Sequence, residues 1–308
     1  MGLIKNVIVL GASGNVGKPI VSALLQADFT VTVNSSTSSL SDNFFSKVAK
    51  VSVDYSSVPS LKEAFTRQDA IVEAFNPNVS VYQDNIVKAA VEAGVKHIIT
   101  PDFSSDTFHA AAKELLIFEP KQKAQRLLEA ETKNRGVRWT AIITGPFFDW
   151  AIPRGIFWVD PKTRTVTVFG SGNQKVSMSN IDIVGRATVA VLSNPDSFAD
   201  RPAYFADYNV TTNELSKILG ELTQPEKWSV ANVPVATLFE DGKKKWQEDS
   251  ENNVQDRLNS AAYQMLGTYG IFEESNRYGA DFSHKVEPGW LRDLEQMKED
   301  LAQLIKID

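Results

Sequence analysis

Three glycines stand three residues apart in the stretch VIVLGASGNVGKPIV: Gly11, Gly14 and Gly17. A short apolar run precedes them and a segment of helical periodicity follows. In that setting each glycine has its own task. The first lets the chain turn tightly, the second lets backbone N–H groups approach a pyrophosphate, and the third lets the helix pack closely on its strand. The helix start beyond them offers unpaired N–H groups and a positive dipole end, which together attract phosphate. The spacing predicts a dinucleotide loop, with Ser13, Asn15 and Val16 completing its surface; a plain structural turn is the alternative.

About 20 residues past such a loop, an acid would hold a ribose 2′-hydroxyl and an arginine would suit a 2′-phosphate. Here the chain reads Asn34-Ser35-Ser36-Thr37-Ser38-Ser39. No carboxylate is present to repel a 2′-phosphate, and several hydroxyls are available to bond it, so NADP(H) is expected from Asn34, Ser35 and Ser36. The missing cation removes the main attraction, and NAD(H) is not excluded. Asp54, at the end of the third strand, is placed to meet the adenine ring, and equally well to serve as a turn or helix-capping carboxylate. Asn76, in Asn76-Pro77-Asn78, stands where a loop runs beneath the nicotinamide, and a structural turn accounts for it as well.

Other chemistries can be struck out. None of the seven tyrosines is followed four residues later by Lys; Tyr82, for instance, is followed by Ile86. The Tyr/Lys mechanism common among enzymes with this loop is therefore absent. There are no cysteines, hence no disulfide, thiolate nucleophile or cysteine metal site. Three scattered histidines, His97, His109 and His284, lack the spacing of a metal site. His109 alone falls in a loop that could approach a substrate. Aromatic residues gather after the fifth and sixth strands: Phe103, then Phe147, Phe148, Trp150, Phe157 and Trp158. They fit the lining of a pocket for an apolar, aromatic or polycyclic molecule, or else an ordinary core.

The elements that must position these residues follow from periodicity. Strands are expected at 7–10, 29–33, 48–55, 70–75, 95–100 and 139–144, with helices at 15–26, 60–65, 81–93 (ended by Gly94) and 119–134. Runs apolar on both faces, separated by helices, mean an α/β fold with a doubly wound parallel sheet of Rossmann type. After residue 150 the rhythm breaks. A hairpin-like piece at 164–172, a helix at 180–193 capped by Ser179 or Asn180, a strand at 201–210 and then helices suggest a smaller, mainly helical substrate domain. The division is expected as 1–150 and 151–308, with parts of 175–210 packing back onto the first domain. Ligands of such folds bind at the carboxyl ends of the strands.

Composition bounds the rest. The chain has 308 residues, 43% hydrophobic, with a net charge of −6. That supports a large core and opposes a nucleic-acid footprint, which needs a basic face. Lys243-Lys244-Lys245 sits among Glu240, Asp241, Glu248 and Asp249 and reads as a solvated face. No apolar run approaches the ~20 residues that cross a bilayer, and no leader pattern opens the sequence, so a cytoplasmic setting without membrane partners is expected. A monomer and a homodimer are both compatible with the sequence.

Four blocks in order, the glycine loop, KHIITPDFSSDT (96–107), FEPKQKAQRLLEA (118–130) and RWTAIITGPFFDW (138–150), resemble the NmrA-like and isoflavone reductase-like branch of the atypical short-chain dehydrogenases. VDPKTRTVTVFGSGN (159–173) and SNIDIVGRATVAVL (179–192) are similar to its fungal members. In the reductases of that branch, which include phenylcoumaran benzylic ether reductase, a helix lysine acts as acid/base eight residues before a Glu that follows Leu or Ile. Leu128-Glu129 carries that role to Lys121. Lys123, two residues on and roughly 200° around the helix, is the fallback. The resemblance implies an NADPH-dependent reductase of a small secondary-metabolite-type substrate. Two departures stand out. The usual Pro-Ser-Glu-Phe-Gly loop is Thr100-Pro101-Asp102-Phe103-Ser104, and the usual basic residue after the second strand is Ser36. They leave room for a redox-neutral isomerase or cyclase. Regulatory members that bind the dinucleotide without turnover lack the lysine, so Lys121 counts against that alternative.

Overall fold

The computed structural model describes residues 3–34, 48–156, 158–224, 227–254 and 257–305. Strands and helices alternate from the start: β1 (Asn6–Leu10), α1 (Gly17–Gln26), β2 (Thr30–Asn34), β3 (Ala49–Val51), α2 (Val58–Phe65), β4 (Ala70–Glu73), α3 (Gln83–Ala93), β5 (His97–Thr100), α4 (Glu119–Thr132), β6 (Arg138–Ile143), and later α5 (Ile183–Ser193) and β7 (Arg201–Tyr204). They build a seven-stranded sheet in the order β7-β6-β5-β4-β1-β2-β3. β1 pairs in parallel with β2 and with β4, and the pairings β2–β3, β4–β5 and β5–β6 are parallel too. The chain runs outward from β1 to β3 and then restarts at β4 on the other side of β1. That reversal is the switch point where open α/β sheets bind their ligands.

The apolar runs explain why these strands sit inside. All four residues of β4 and of β5 are buried, and so are all but the first of β1 and of β6. Helices must therefore cover both faces. α1 and α5 approach very closely: a Cβ on Gly185 would meet Pro19 O at 2.6 Å and Ala23 Cβ at 2.7 Å. α2 begins at Ser57, whose hydroxyl accepts the Ser60 N–H at 3.3 Å, and α3 ends at Gly94 in the left-handed region, as its sequence leads one to expect.

The chain forms two compact units. The first comprises Met1–Phe103, Pro120–Ile143 and Asp182–Ala203; the second comprises Ser104–Glu119, Thr144–Ile181 and Tyr204–Asp308. The backbone passes between the units several times, and Asp182–Ala203 belongs to the first. In the second unit, Thr165–Phe169 pairs antiparallel with Val159–Asp160 and parallel with Ser229–Val233, and Lys175–Met178 pairs antiparallel with Tyr208–Thr211. Helices Thr212–Leu222, Leu238–Glu251, Ala261–Phe272 and Leu294–Leu304 accompany them.

Three local expectations need correction. The strand at 48–55 is only Ala49–Val51. The run 201–210 is two strands in different sheets, β7 and Tyr208–Thr211, broken at Asp207. That carboxylate is buried, accepts the Asn180 N–H at 2.9 Å and pairs with Arg292 at 3.0 Å, and this anchorage bends the chain. Finally, α5 starts at Asp182 without a side-chain cap. Ser179 instead donates to Thr144 O at 2.8 Å, and Asn180 donates to the Asp300 carboxylate at 2.6 Å.

Candidate active site

Because the strands are parallel, their carboxyl ends share one edge of the sheet. β1, β2, β4 and β5 bring Gly11, Asn34, Glu73 and Thr100 to that edge. Gly11 takes φ +84°, and a Cβ there would press into the backbone of the β4 exit, at 2.5 Å from Ala74 O and 2.7 Å from the Phe75 Cα. Gly17 is just as constrained, since its Cβ would collide with Gly11 O and lie 2.7 Å from the Ala12 Cα. Gly14 differs. Its nearest protein neighbour would be Gly11 O at 3.4 Å, an ordinary contact, so the protein's own packing does not demand glycine there. Ser13, Gly14 and Asn15 are exposed and Val16 half-buried. α1 starts at Val16 with no side chain capping its first N–H groups. A helix start without a side-chain cap is an anion-binding arrangement.

Asn34 fixes this loop. Its side-chain oxygen accepts the Gly11 N–H at 2.8 Å and its amide donates to the Tyr55 hydroxyl at 3.0 Å. Tyr55 in turn stacks on Tyr82 and meets Phe75 edge-on. Ser35 and Ser36 lie outside the described residues, as does Phe157. The carboxylate of Asp54 is exposed and engaged in its own turn, accepting from the Ser56 N–H at 2.9 Å and the Ser56 hydroxyl at 2.6 Å. Those bonds hold its pKa below the usual carboxylate value. Asn76 is likewise a turn residue here, accepting the Asn78 N–H at 3.0 Å at the head of a short 3₁₀ segment.

Lys121 occupies the first turn of α4 and is half-buried, whereas Lys123 is exposed. The Lys121 ammonium donates to the backbone carbonyl of Asp102 at 2.8 Å. Burial holds its pKa below the ordinary lysine value, opposed in part by the Asp102 charge. The Asp102 carboxylate accepts from the Thr100 hydroxyl at 2.7 Å, so the loop after β5 has a definite shape. Phe103 carries that loop's strain, with φ +27° and its ring buried. Ser104, where the related loops have glycine, is not among the described residues with positive φ. Sequence inspection missed Glu73, Gln83 and Tyr55. Glu73 is fully buried, and burial pushes its carboxyl up to about 8. Its signal was an acid inside the run AIVEAF.

The expected aromatic lining divides. Phe148 and Trp158 are fully buried in the core of the second unit, edge-on to Tyr208 and Phe272 respectively. Trp150 is half-buried beneath the Arg154 guanidinium, 4.7 Å from its ring centre, and Phe147 is half-buried. His109 accepts the Ala111 N–H at 3.3 Å, a turn contact. His97 is buried against Thr140, and burial lowers its pKa to about 4, so it is neutral. A different set lines a small apolar recess in the second unit, among them Leu115, Phe118, Gly267, Gly270, Ile271 and Phe282. A Cβ at Gly270 would lie 2.5 Å from a Leu115 methyl, which would have to swing aside.

The family model described as NmrA-like matches residues 4–298. The chain belongs to the NmrA-like family. This NmrA-like protein is 31% identical over 231 residues to oxidoreductase aprR of Aspergillus flavus, covering 74% of this chain and 76% of that protein. It is 28% identical over 206 residues to an isoflavone reductase homolog (A622-like) of Nicotiana tabacum, covering 62% of this chain and 65% of that one. Among solved structures it resembles AtPrR2 with NADP+ and (+)pinoresinol, with a TM-score of 0.74 at 20% identity over 99% of this chain and 100% of that chain. By this kinship it is an oxidoreductase. No helix among the described residues is long and apolar enough to cross a membrane.

Proposed function

We propose that this NmrA-like protein is an NADPH-dependent reductase of a small, largely apolar substrate, with Lys121 as its general acid/base. The observation that carries the reading is the Lys121 amine: half-buried, held by the Asp102 carbonyl, lowered in pKa, and set after β5 on the same sheet edge as the glycine loop. A solvated helix lysine would show none of this. A lysine so adjusted gives up its proton more readily than a solvated one, which is what an acid/base needs.

The residues present fit a dinucleotide. Gly14 has no packing reason to be glycine, and the start of α1 has no side-chain cap, so both are available to a pyrophosphate. Gly11, Ser13, Gly14, Asn15, Val16 and Gly17 would hold it, with Asn34 keeping the turn in shape through Gly11. When bound, NADPH supplies a hydride to the substrate. Lys121 then supplies or relays the proton to the substrate atom that gains charge, with the Asp102 carbonyl holding the amine in place. AtPrR2, with its bound NADP+ and (+)pinoresinol, points to the same cofactor and to an aromatic substrate class.

The choice between the nicotinamides follows from β2. Its last residue is an amide committed to Gly11 and Tyr55, so no carboxylate at that point repels a 2′-phosphate. Calorimetric titration is expected to show NADPH binding at least ~10-fold more tightly than NADH, which is about 1.4 kcal/mol. Equal affinities would remove the NADPH assignment, and failure of both to bind would remove the reductase reading.

A further inference from the structure

Glu73 plays no part in the chemistry above, yet it is a fully buried acid at the end of β4, beside Leu10 of the glycine-loop strand. Its Oε1 accepts a hydrogen bond from the Gln83 side-chain amide at 2.9 Å. Its Oε2 and the Gln83 Oε1 are both buried, and neither has a partner. Two acceptors facing a deficit of donors in one buried pair is a costly arrangement, and one proton repairs it. Protonated at Oε2, Glu73 has a donor for Gln83 Oε1. Acid and amide then satisfy each other reciprocally, and no polar atom of the pair is left without a partner. The pair lines a small recess with Asp102 and Lys121.

We propose that Glu73 stands as an undissociated carboxylic acid paired with the Gln83 amide, and that it is a positioning residue for Lys121. While neutral, it leaves Asp102 as the carboxylate that acts on the Lys121 amine. Once ionised, it adds a second negative charge to the same recess and draws the amine toward its ammonium form. Gln83 on α3 is neutral, the Asp102 charge after β5 opposes ionisation, and Tyr55 after β3 has its own ionisation opposed by Glu73. Lys121 on α4 lines the same recess, and its ammonium form is the group there that favours ionisation. The clause about Lys121 rests on the function proposed above; the protonation of Glu73 does not.

Two measurements on the full chain test this, and neither needs a known substrate. The first is urea unfolding of wild type and Glu73→Gln across the pH range. Glutamine mimics the protonated acid in shape and hydrogen bonding. The folded pKa of Glu73, about 8, lies above its ordinary value of 4.5, so the folded state holds the proton longer. Stability present in full below about pH 4.5 is therefore lost as pH rises toward about 8, and is level beyond. The wild-type midpoint should fall relative to that of Glu73→Gln across this window, with the two alike at its acid end. Parallel curves would overturn the proposal. Should the variant not fold, infrared difference spectra of wild type carrying ¹³C-labelled glutamate take its place: a protonated carboxyl band at neutral pH supports the proposal, and its absence overturns it. The second measurement is the pH profile of Lys121 acylation by acetic anhydride, read by peptide mass spectrometry. Lys121 should titrate ~1 pH unit lower in Glu73→Gln than in wild type. Identical profiles would overturn the positioning role even if Lys121 proves essential for turnover. A shifted profile with an inessential Lys121 would instead overturn the proposed function alone.

Discussion

Lys121→Met lowers turnover by ~10²–10⁴-fold, the range typical of losing a general acid/base, while the dissociation constant for NADPH changes by no more than a few fold. Methionine keeps an apolar stem in the recess that Ala124 and Leu128 also line and removes the amine, so the fold is retained. Lys121→Arg is nearly as inactive. A guanidinium keeps the charge and can still bond the Asp102 carbonyl, yet it does not release a proton in the working range. Lys123→Ala, at an exposed position on the same helix, leaves turnover within about twofold of wild type. The triad of variants separates proton transfer from charge and from packing. Full activity in Lys121→Met, measured by NADPH consumption with any substrate that wild type reduces, would remove Lys121 from the mechanism.

Gly14→Val and Gly17→Val are three residues apart and are expected to fail in different ways. At Gly14 a Cβ meets nothing closer than 3.4 Å and the backbone φ is not left-handed, so Gly14→Val folds with a melting temperature close to wild type. It weakens NADPH binding by at least ~100-fold, about 2.7 kcal/mol, because the side chain stands where the pyrophosphate must approach. At Gly17 the new Cβ would run into the backbone of Gly11 and Ala12. That variant loses stability before binding becomes a question. Thermal unfolding with calorimetric NADPH titration reads both effects. A Gly14→Val protein that binds NADPH like wild type would show that the loop is a structural turn.

The difference between those two glycines marks what a sequence conveys. The strand–helix alternation was legible because β1, β4, β5 and β6 are buried on both faces and must be apolar throughout. Gly11, Gly14 and Gly17 were legible as a set, but which ones the backbone requires depends on how close Ala74 and Gly11 come, and spacing does not encode that. Lys121 could be selected over Lys123 from resemblance, and helical geometry puts the two on different faces. The partner of Lys121 was not legible, because it is a backbone carbonyl and every residue has one.

The aromatic cluster shows the opposite failure. Phe148 and Trp158 read equally well as pocket or core, and packing against Tyr208 and Phe272 across more than fifty residues of sequence decides for core. The recess walls that did emerge, Gly267 and Gly270, are conspicuous for lacking side chains, and periodicity analysis passes over such residues. Glu73 carried a signal that could have been used. A lone acid in an otherwise apolar strand must be buried, and a buried acid needs a partner or a proton.

The central claim is net reduction by NADPH at this site. It is tested most directly by incubating the protein with NADPH deuterated at the nicotinamide carbon that donates hydride and a panel of small aromatic substrates, then weighing the products. The account predicts a product carrying one deuterium from the cofactor and one proton from solvent, formed by wild type and not by Lys121→Met. A product formed without the label, or at the full rate with no nicotinamide present, would contradict it.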